Sequence, residues 1–183
     1  MRLNLGAGTR HLPRKEGWCN VDRWGAQDYT WDLEKTPWPW KTDEAEEVLL
    51  SHVLEHLGQA PATYLAILKE LWRVCRNHAR VRIVVPHPRH DHFLNDPTHV
   101  RAITPDGLRL FSQRLNKEWE KAGAANSRLG LEHGINFEVV QVEEVPDPAF
   151  ASLKRSDYGT FQMMARTQNN VLAEYQIVLE VVK

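Results

Sequence analysis

Short apolar segments bounded by glycine, proline or acidic residues recur along the chain, and their pattern predicts its strands. Leu3 and Leu5 alternate with polar neighbours, and residues 48–50 form a continuous apolar run typical of a strand covered on both faces. The last apolar segment alternates with polar residues, as in a strand with one covered face. The predicted strands span residues 3–5, 18–22, 29–33, 48–51, 81–86, 135–145 and 174–182.

Apolar residues at helical spacing predict the helices. The longest such pattern covers residues 60–76, after which Asn77 is expected to end the helix in a left-handed conformation. A second helix is expected to begin at Thr104, an N-cap hydroxyl followed by proline and an acid, and to end near Gly123. The acidic run at residues 43–47 is interpreted as a solvated turn of helix.

The order of these elements predicts an α/β fold. Helices between the early strands favour a mostly parallel sheet, and the two late strands, joined with helical character only around residues 161–165, favour an antiparallel strand at one side. The polar segment at residues 11–17 is too short for a full crossover helix, so the first connection is expected to be abbreviated. Ligands of such sheets bind beyond the carboxyl ends of the strands. That edge is expected to collect Gly6, Ala7, Gly8, Asp22, Asp32, Ser51, His52 and His87.

The first predicted strand runs directly into the turn Gly6-Ala7-Gly8. Because glycine has no Cβ, a ligand can approach the backbone of such a turn closely. The third glycine of a dinucleotide-binding pattern is absent, since Thr9-Arg10-His11 follows. The turn alone therefore leaves a ligand site and an ordinary tight turn both open. Asp22 and Asp32, at the ends of two strands, are likewise either ligand carboxylates or turn residues.

Length, charge and cysteine content narrow the class of protein. A chain of 183 residues is expected to form one domain over residues 1–183. A formal net charge of -1 supplies no basic field for nucleic acid. Cys19 and Cys75 lie in apolar patterns without pairing or metal-binding spacing, so they are expected to be reduced in a cytoplasmic protein. No signal peptide or membrane-spanning run is expected, and the chain is expected to start on its first strand.

Several short motifs, in order along residues 1–112, resemble class I S-adenosylmethionine-dependent methyltransferases. More narrowly, they resemble a small bacterial and phage group in which the patterns LNLG-x-G, GW-x-NVD, D-L, SHVLEHL, VP and DPTH follow one another. The corresponding segments here are residues 3–8, 17–22, 32–33, 51–57, 85–86 and 96–99. The resemblance implies a Rossmann-like three-layer fold with a mostly parallel seven-stranded sheet, an antiparallel strand at one side and an abbreviated N-terminus. It also implies S-adenosyl-L-methionine as cofactor and methyl transfer as the activity.

The resemblance also implies roles for the residues at the strand ends. The backbone of Gly6, Ala7 and Gly8 would pass under the methionine part of the cofactor. Asp22 would accept hydrogen bonds from both ribose hydroxyls, which suits a carboxylate with two acceptor oxygens. Asp32 would accept a hydrogen bond from the adenine amino group, and the Leu33 amide would donate to an adenine ring nitrogen.

Methyl transfer to a hydroxyl or an amine releases a proton, and histidine suits its removal because its reference pKa is near neutral. By the resemblance, Ser51 and His52 would flank the sulfonium and the reacting methyl group. The candidate bases are His52, His56, Asp96 and His99. A base is not obligatory, since alignment of nucleophile, carbon and sulfur can supply much of the rate. Helix capping or an internal hydrogen bond is the alternative role for each candidate.

Two histidine clusters keep metal-dependent chemistry open as an alternative. The segment His52-Val53-Leu54-Glu55-His56 matches the H-x-x-E-H signature of one metallopeptidase group, which needs both histidines on one helical face. Here the motif follows a buried strand directly, and Gly58 and Pro61 leave little room for a helix. The second cluster lacks a recognised ligand spacing and is interpreted as a polar lid over the cofactor, so no metal ligand is assigned. It comprises His87, His90, Asp91, His92 and Asp96.

The acceptor is expected to enter between the loop at residues 87–101 and the segment at residues 146–170. The resemblance suggests a small molecule or a saccharide, because similar proteins accompany surface-sugar pathways. Nucleic acid is less favoured, because residues 51–54 lack the Asn/Asp-Pro-Pro-aromatic motif of amino-methylating DNA enzymes. A catalytically silent S-adenosylmethionine-binding subunit and a His/Asp metal-dependent hydrolase are the alternatives. Membrane association is not expected, and the oligomeric state stays open.

Overall fold

One mixed sheet forms the centre of the protein. The computed structural model describes residues 1–25 and 27–183. Its strands are β1 (Arg2–Leu5), β2 (Trp18–Asp22), β3 (Tyr29–Thr30), β4 (Ala45–Ser51), β5 (Cys75–Pro86), β6 (Phe137–Pro146) and β7 (Leu172–Val181). They lie in the order β3-β2-β1-β4-β5-β7-β6, and β7 is antiparallel to both of its neighbours while the pairs from β3 to β5 are parallel. The predicted mostly parallel sheet with an antiparallel strand at one side is confirmed.

Helices flank this sheet, which confirms the Rossmann-like arrangement. They are α1 (Pro61–Val74), α2 (Asp91–Leu94), α3 (Pro105–Arg109), α4 (Gln113–Lys121), α5 (Leu129–His133), α6 (Ala151–Ser156) and α7 (Tyr158–Thr167). The connection from β1 to β2 holds only a single 3-10 turn, Arg14–Glu16, so the predicted abbreviated crossover is confirmed. No helix in the two described ranges is both long and apolar enough to cross a membrane.

The central strands are fully buried on one face, because buried positions alternate along β4 and β5 with partly buried or exposed ones such as Leu49 and Arg82. The covering on both faces that the apolar run at residues 48–50 predicts is therefore not observed. Fully buried side chains of β1, β4 and β5 include Leu3, Leu5, Val48, Leu50, Val81, Ile83 and Val85. Helix α1 adds Ile67, Leu68 and Leu71 to the same core. Each such side chain contributes about 1.5–3 kcal/mol when it leaves water. This packing fixes the carboxyl ends of β1, β2 and β4, where the candidate site residues lie.

The acidic run at residues 43–47 does not form the predicted helical turn. β4 begins at Ala45, and its acidic side chains pair with arginines of neighbouring strands. Glu46 lies 3.1 Å from Arg76, and Glu47 lies 3.4 Å from Arg2. The prediction was wrong because these partners come from β1 and β5, far away along the chain, and they make extended acidic residues favourable.

The first long helix is shorter than predicted, and Asn77 is not its left-handed end. Helix α1 ends at Val74, and the chain passes into β5 at Cys75, whose backbone is already extended. The left-handed position is His78, with a φ of 62°, inside the long strand β5. Pairing with β4 and β7 extends β5 backwards beyond its apolar run. Sheet pairing therefore overrides the local helix-stop signal.

The second predicted helix is divided into α3 and α4. Its start is confirmed, since the Thr104 hydroxyl accepts a hydrogen bond from the Gly107 amide at 3.0 Å. Ser112 interrupts it by capping α4, accepting from the Leu115 amide at 3.1 Å. The Ser112 hydroxyl also donates to Glu138 on β6 at 2.6 Å. A serine side chain that bonds to nearby backbone favours a new helix start over continuation, which explains the break.

The third strand ends two residues before Asp32, and three residues short of the prediction. After β3 the Trp31 amide still donates to the Asp22 carbonyl at 3.0 Å. Asp32 then turns the chain, because its carboxylate accepts from the Glu34 amide at 3.1 Å and its carbonyl from the Lys35 amide at 2.9 Å. Aspartate is a common turn former for this reason. The last two strands, in contrast, lie within two residues of their predicted bounds at both ends.

Candidate functional site

The glycine turn after β1 presents its backbone on one side only. Gly6 has a φ of 70°, and a Cβ there would lie 1.8 Å from Val53 Cγ2, so only glycine fits. The Ala7 amide donates to the Val21 carbonyl of β2 at 3.0 Å. Gly8 has a φ of 51°, and no atom lies within 4 Å of the position that its Cβ would take. The turn is therefore fixed against the fold on one side and open to a ligand on the other.

Asp22 joins the end of β2 to this turn. Its Oδ2 accepts a hydrogen bond from the Gly8 amide at 2.9 Å, and its Oδ1 accepts from the Trp24 amide at 3.0 Å. The Gln27 side chain donates to the carbonyls of Gly8 and Trp24, each at 3.0 Å. Each oxygen of Asp22 keeps lone-pair capacity for a further donor. Gln27 Oε1 is buried without a hydrogen-bond partner among the described residues, so it is a free acceptor at the same place.

Asp32 lies beside Asp22, as the edge rule predicts. The two are linked through the strand pair, since the residue before Asp32, Trp31, bonds to the Asp22 carbonyl. Leu33 is buried, and its carbonyl accepts from the Trp38 indole nitrogen at 3.0 Å. These contacts hold the backbone of the turn at residues 31–34 in place. The predicted hydrogen bonds of Asp32 and of the Leu33 amide to an adenine ring stay predictions.

Ser51 is the last residue of β4, and His52 follows it, next to the glycine turn. His52 adopts a left-handed φ of 55°, and its amide donates to the Val84 carbonyl at 2.8 Å. Its imidazole lies between two carboxylates, 3.7 Å from Glu55 and 3.5 Å from Glu174. Glu55 is the main cause that raises the pKa of His52 above its ordinary value, and the charge of Glu174 raises it further. Partial burial acts in the opposite direction but does not cancel this effect. A histidine held between two acids is favoured in its protonated form.

The other three candidate bases meet in a second group. His56 Nδ1 lies 2.9 Å from the Thr98 hydroxyl, which donates to Asp96 Oδ1 at 2.6 Å. The His56 and His99 rings make an edge contact with centroids 4.6 Å apart. Asp96 Oδ2 lies 3.8 Å from His99 Nε2, and hydrogen bonds from Thr98 lower the pKa of Asp96. His56 and Thr98, which are 42 residues apart in the sequence, are thus brought together at the carboxyl edge of the sheet.

Sequence reasoning missed three residues of this region. Glu55 is 1% exposed and lies between His52 and the His56 and His99 pair. Gln27 holds the glycine turn, and the Trp24 side chain is 71% exposed directly after Asp22. An acid inside the apolar motif Leu54-Glu55-His56-Leu57 was the available signal for Glu55, because a charged residue in such a context needs a partner. Nothing in the local pattern marked Gln27.

The second histidine cluster is a structural connection between loops. His90 is buried, its Nδ1 accepts from the His92 amide at 3.0 Å, and its Nε2 lies 3.2 Å from Asp147. Because Nδ1 accepts, Nε2 carries the proton and donates to Asp147, so both ring nitrogens are used. Burial lowers the pKa of His87 to about 4, with Arg89 and His90 adding to the effect. The cluster ties the loop after β5 to the segment after β6.

A cavity of about 320 Å³ lies where the acceptor was expected to enter. It lies between the loop after β5 and the helix α7. Its lining residues are His87, Arg89, Glu144, Gln162, Ala165, Arg166, Leu172 and Tyr175. A larger open depression of about 680 Å³ lies at the amino ends of β1 and β5, lined by Arg2, Glu46, Glu47 and arginines of β5. Neither lining includes a candidate catalytic or cofactor-binding residue, and of the two only the smaller cavity includes a residue expected at the carboxyl edge, His87.

Comparisons with known proteins define the class of fold. No protein-family model matches the chain, and a search of curated proteins finds no similar sequence. Among solved structures, a S-adenosylmethionine-dependent methyltransferase from Archaeoglobus fulgidus matches with a TM-score of 0.64 at 17% identity, over 98% of this chain and 85% of that one. A 1,6-didemethyltoxoflavin-N1-methyltransferase from Burkholderia thailandensis was solved with 1,6-didemethyltoxoflavin and S-adenosylhomocysteine. It matches with a TM-score of 0.54 at 13% identity, over 100% of this chain and 71% of that one.

A third structure with this fold carries a different name. The cyclase SpnF matches with a TM-score of 0.58 at 12% identity, over 99% of this chain and 75% of that one. Identities this low establish the fold and not the activity. The fold is that of the S-adenosylmethionine-dependent methyltransferases, which confirms the fold implied by the sequence motifs.

Proposed function

We propose that this protein binds S-adenosylmethionine and transfers its methyl group to a small-molecule or saccharide acceptor. The observation that carries the proposal is the hydrogen bond from the Gly8 amide to Asp22, which joins the open glycine turn to the acid at the end of β2. In an open α/β sheet this position, beyond the carboxyl ends of adjacent strands, is where a nucleotide-like ligand binds.

The residues present fit this cofactor. The open side of Gly8 leaves room for the amino-acid part to pass close to the backbone. Asp22 has lone pairs for ribose hydroxyls, and the unpartnered Gln27 Oε1 adds an acceptor beside it. Asp32 and the Leu33 amide would contact the adenine, and exposed Trp24 would pack on the nucleoside. Ser51 and His52 would lie beside the sulfonium.

When bound, the cofactor supplies an electrophilic methyl group on a cationic sulfur. The work left to the chain is to bind the acceptor, align it and exclude water. Glu55 and Glu174, on either side of His52, give this part of the site a negative field that suits a sulfonium. His56 and Asp96 are hydrogen-bonded through the Thr98 hydroxyl, with His99 beside them, and this group could receive an acceptor proton.

The size of the cavity between the loop after β5 and α7 supports a small acceptor. Its volume, about 320 Å³, suits a small molecule or a single sugar unit. Arg89, Arg166 and Tyr175 offer it hydrogen-bond donors. The Burkholderia protein was solved with a small heterocyclic compound, which is consistent with a small acceptor for this fold.

Calorimetric titration of the purified protein with S-adenosylmethionine and S-adenosylhomocysteine tests the cofactor. We expect one site per chain, and Asp22→Asn should weaken binding by about 10- to 100-fold, since a hydrogen bond to a charged group contributes about 1.5–3 kcal/mol. Asp106→Asn is the control, because the Asp106 side chain is 89% exposed on α3 and pairs only with Arg109. Absence of saturable binding to the unmodified protein would refute the proposal.

A second measurement separates transfer from silent binding. The chain is incubated with methyl-labelled cofactor and a panel of hydroxyl compounds and sugars, and S-adenosylhomocysteine is quantified. Acceptor-dependent formation supports the methyltransferase. Tight cofactor binding without turnover across the panel would favour the silent cofactor-binding subunit instead, a role that the shared fold of a cyclase makes reasonable.

A further inference from the structure

Glu55 is a buried carboxylate without a hydrogen bond. It is 1% exposed, and neither of its oxygens has a partner among the described residues. The nearest basic atom in an ion-pair position is His52 Nδ1, which is 3.7 Å from Oε1 and belongs to a half-exposed side chain. A carboxylate removed from water costs several kcal/mol unless a cation or hydrogen-bond donors compensate it. The fold therefore places a buried carboxylate beside the candidate site whose only ion-pair partner among the described residues is His52 and whose oxygens keep free acceptor capacity.

Two histidines next to Glu55 use Nδ1 in a hydrogen bond, which leaves Nε2 of each ring for a further partner. The Thr98 hydroxyl donates its single proton to Asp96, so it must accept from His56 Nδ1, which lies 2.9 Å away. His99 Nδ1 lies 2.8 Å from the Phe93 carbonyl and can only donate to it. Each Nδ1 thus carries a proton, and a metal ion would be bound through Nε2. Metal-binding histidines are held in the same way, with the second nitrogen donating to a carbonyl or a carboxylate-linked group.

The three side chains converge on one point. One carboxylate oxygen of Glu55 and one nitrogen each of His56 and His99 lie within 4.8 Å of one another. A point within about 2.8 Å of all three therefore exists, and an inward movement of about 0.7 Å would bring them to Zn–N and Zn–O distances near 2.1 Å. The Val100 and Arg101 amides donate to the Glu55 carbonyl at 2.9 Å and 3.2 Å, so the two segments that supply the ligands are joined.

This arrangement differs from the metallopeptidase motif. Leu54–His56 is a single 3-10 turn, and His52 has a left-handed backbone, so the two histidines of H-x-x-E-H do not share a helical face. His99, from the loop after β5, takes the place that His52 would have in that motif. The second histidine cluster forms no such group within residues 1–25 and 27–183.

We propose that Glu55, His56 and His99 form a binding site for a divalent transition-metal ion, with Zn²⁺ favoured by the two-histidine, one-carboxylate ligand set. Three protein ligands leave a coordination position for an exogenous oxygen. The role of the ion rests on the proposed function. It would bind an acceptor hydroxyl and favour loss of its proton to water; the oxygen would then form a bond to the methyl carbon while the C–S bond breaks, and sulfur would retain the electron pair.

The test uses full-length, untagged protein treated with chelator and titrated with ZnCl₂ by calorimetry, and with CoCl₂ by visible absorption. We expect one ion per chain and cobalt bands typical of four- or five-coordination. Glu55→Gln and His99→Gln should each weaken Zn²⁺ binding by more than 100-fold. Thr98→Val should weaken it by about 10- to 100-fold, because it removes only the group that orients His56.

His90→Gln is the matched control. Like His99, His90 is largely buried and lies near an acid, Asp147, but it belongs to the second histidine cluster and not to the proposed metal site. This variant should leave Zn²⁺ binding unchanged. Circular dichroism and thermal unfolding check each variant. Glu55→Gln removes a buried charge that accepts no hydrogen bond, but it also removes an ion-pair partner of His52, so the metal-free variant should stay folded with a stability close to that of the parent.

Two results would overturn the inference: no stoichiometric binding by the unmodified protein, or affinity that survives in both Glu55→Gln and His99→Gln. Loss of binding in His90→Gln alone would also overturn it. S-adenosylhomocysteine titration of the same metal-free protein keeps the two proposals separate. Metal binding without cofactor binding contradicts the proposed function, and cofactor binding without metal binding contradicts only the metal site.

Discussion

At the residue scale, two glycines with similar backbone angles have different tasks. Both Gly6 and Gly8 have positive φ, but only Gly6 is pressed against another side chain. The Cβ of any residue at position 6 would collide with Val53, whereas the Cβ at position 8 would point into open space. Gly6 therefore serves the packing of the fold, and Gly8 serves access to the backbone.

Alanine substitutions should separate these tasks. Gly6→Ala should lower the free energy of unfolding by about 3 kcal/mol or more, through strain and collision, and Val53→Ala should recover part of this loss in the double variant. Gly8→Ala should cost only about 1–2 kcal/mol, from the left-handed conformation. It should nonetheless weaken S-adenosylhomocysteine binding at least 10-fold, because its methyl group points to the ligand side. Urea unfolding and calorimetry measure both effects; equal losses of stability would contradict this assignment.

At the element scale, the loop after β5 is held by its histidines. His87 follows the last residue of β5, accepts from the Arg89 amide at 3.2 Å, and packs its ring against Tyr175 of β7 with centroids 4.8 Å apart. His90 joins the same loop to Asp147, at the end of β6. The loop that carries His99 is therefore anchored to two strands. The contacts of His87 and His90 therefore hold the loop in place, whereas the interpretation of this cluster as a lid over the cofactor stays a prediction.

The buried His87 should make the fold sensitive to acid. Its pKa is lowered to about 4 in the folded protein, whereas an unfolded histidine has a pKa near 6.5. Between these values the unfolded chain binds the proton and the folded chain does not. The contribution to stability is therefore complete above about pH 6.5 and falls as the pH drops towards 4.

Urea unfolding at pH 7.5, 6.0 and 4.5 tests this. His87→Gln, which keeps a polar acceptor for the Arg89 amide, should lose less stability on acidification than the parent protein. His11→Gln changes an exposed histidine and should show the parent slope. An identical pH dependence in His87→Gln and the parent would show that burial of His87 does not control the acid response.

At the scale of the whole molecule, one sheet connects all of these sites. β1, β2 and β4 supply the glycine turn, Asp22 and His52, and the antiparallel strand β7 supplies Glu174 from the other half of the chain. A ligand that bridges the ends of β1, β2 and β4 should therefore stabilise the protein as one cooperative unit, consistent with the single domain expected from its length.

Cofactor binding should raise the melting temperature of the whole chain. A ligand at 100 times its Kd adds about 2.7 kcal/mol, and each kcal/mol is worth about 2–4 °C for a protein of this size. Differential scanning calorimetry with S-adenosylhomocysteine should show a single transition shifted by about 5–11 °C. At the same concentration Asp22→Asn should shift by no more than half as much. A shift confined to one of two resolved transitions would argue against one cooperative unit.

Local pattern was sufficient for the central strands, the glycine turn and the Thr104 cap. These features depend on periodicity of side chains and on backbone preferences of glycine, serine and threonine, which act over a few residues. The errors have two causes. For residues 43–47 and Asn77 the cause is pairing with distant strands, through Arg2, Arg76 and the neighbours of β5. The division at Ser112 and the early end of β3 follow instead from local hydrogen bonds of the Ser112 and Asp32 side chains, with Glu138 as an additional distant partner of Ser112.

The sequence by itself determined the α/β class, the strand-end acids and the resemblance to a cofactor-binding fold, because short motifs encode strand ends and turns. Only the tertiary structure decided that β7 lies between β5 and β6 and that Glu55 is buried without a hydrogen-bond partner among the described residues. It also brought His56 next to His99 and to Thr98, which is 42 residues away from His56 in the sequence. These are consequences of packing between segments distant along the chain. Burial and proximity change the chemistry of a side chain, and neither can be read from its immediate neighbours.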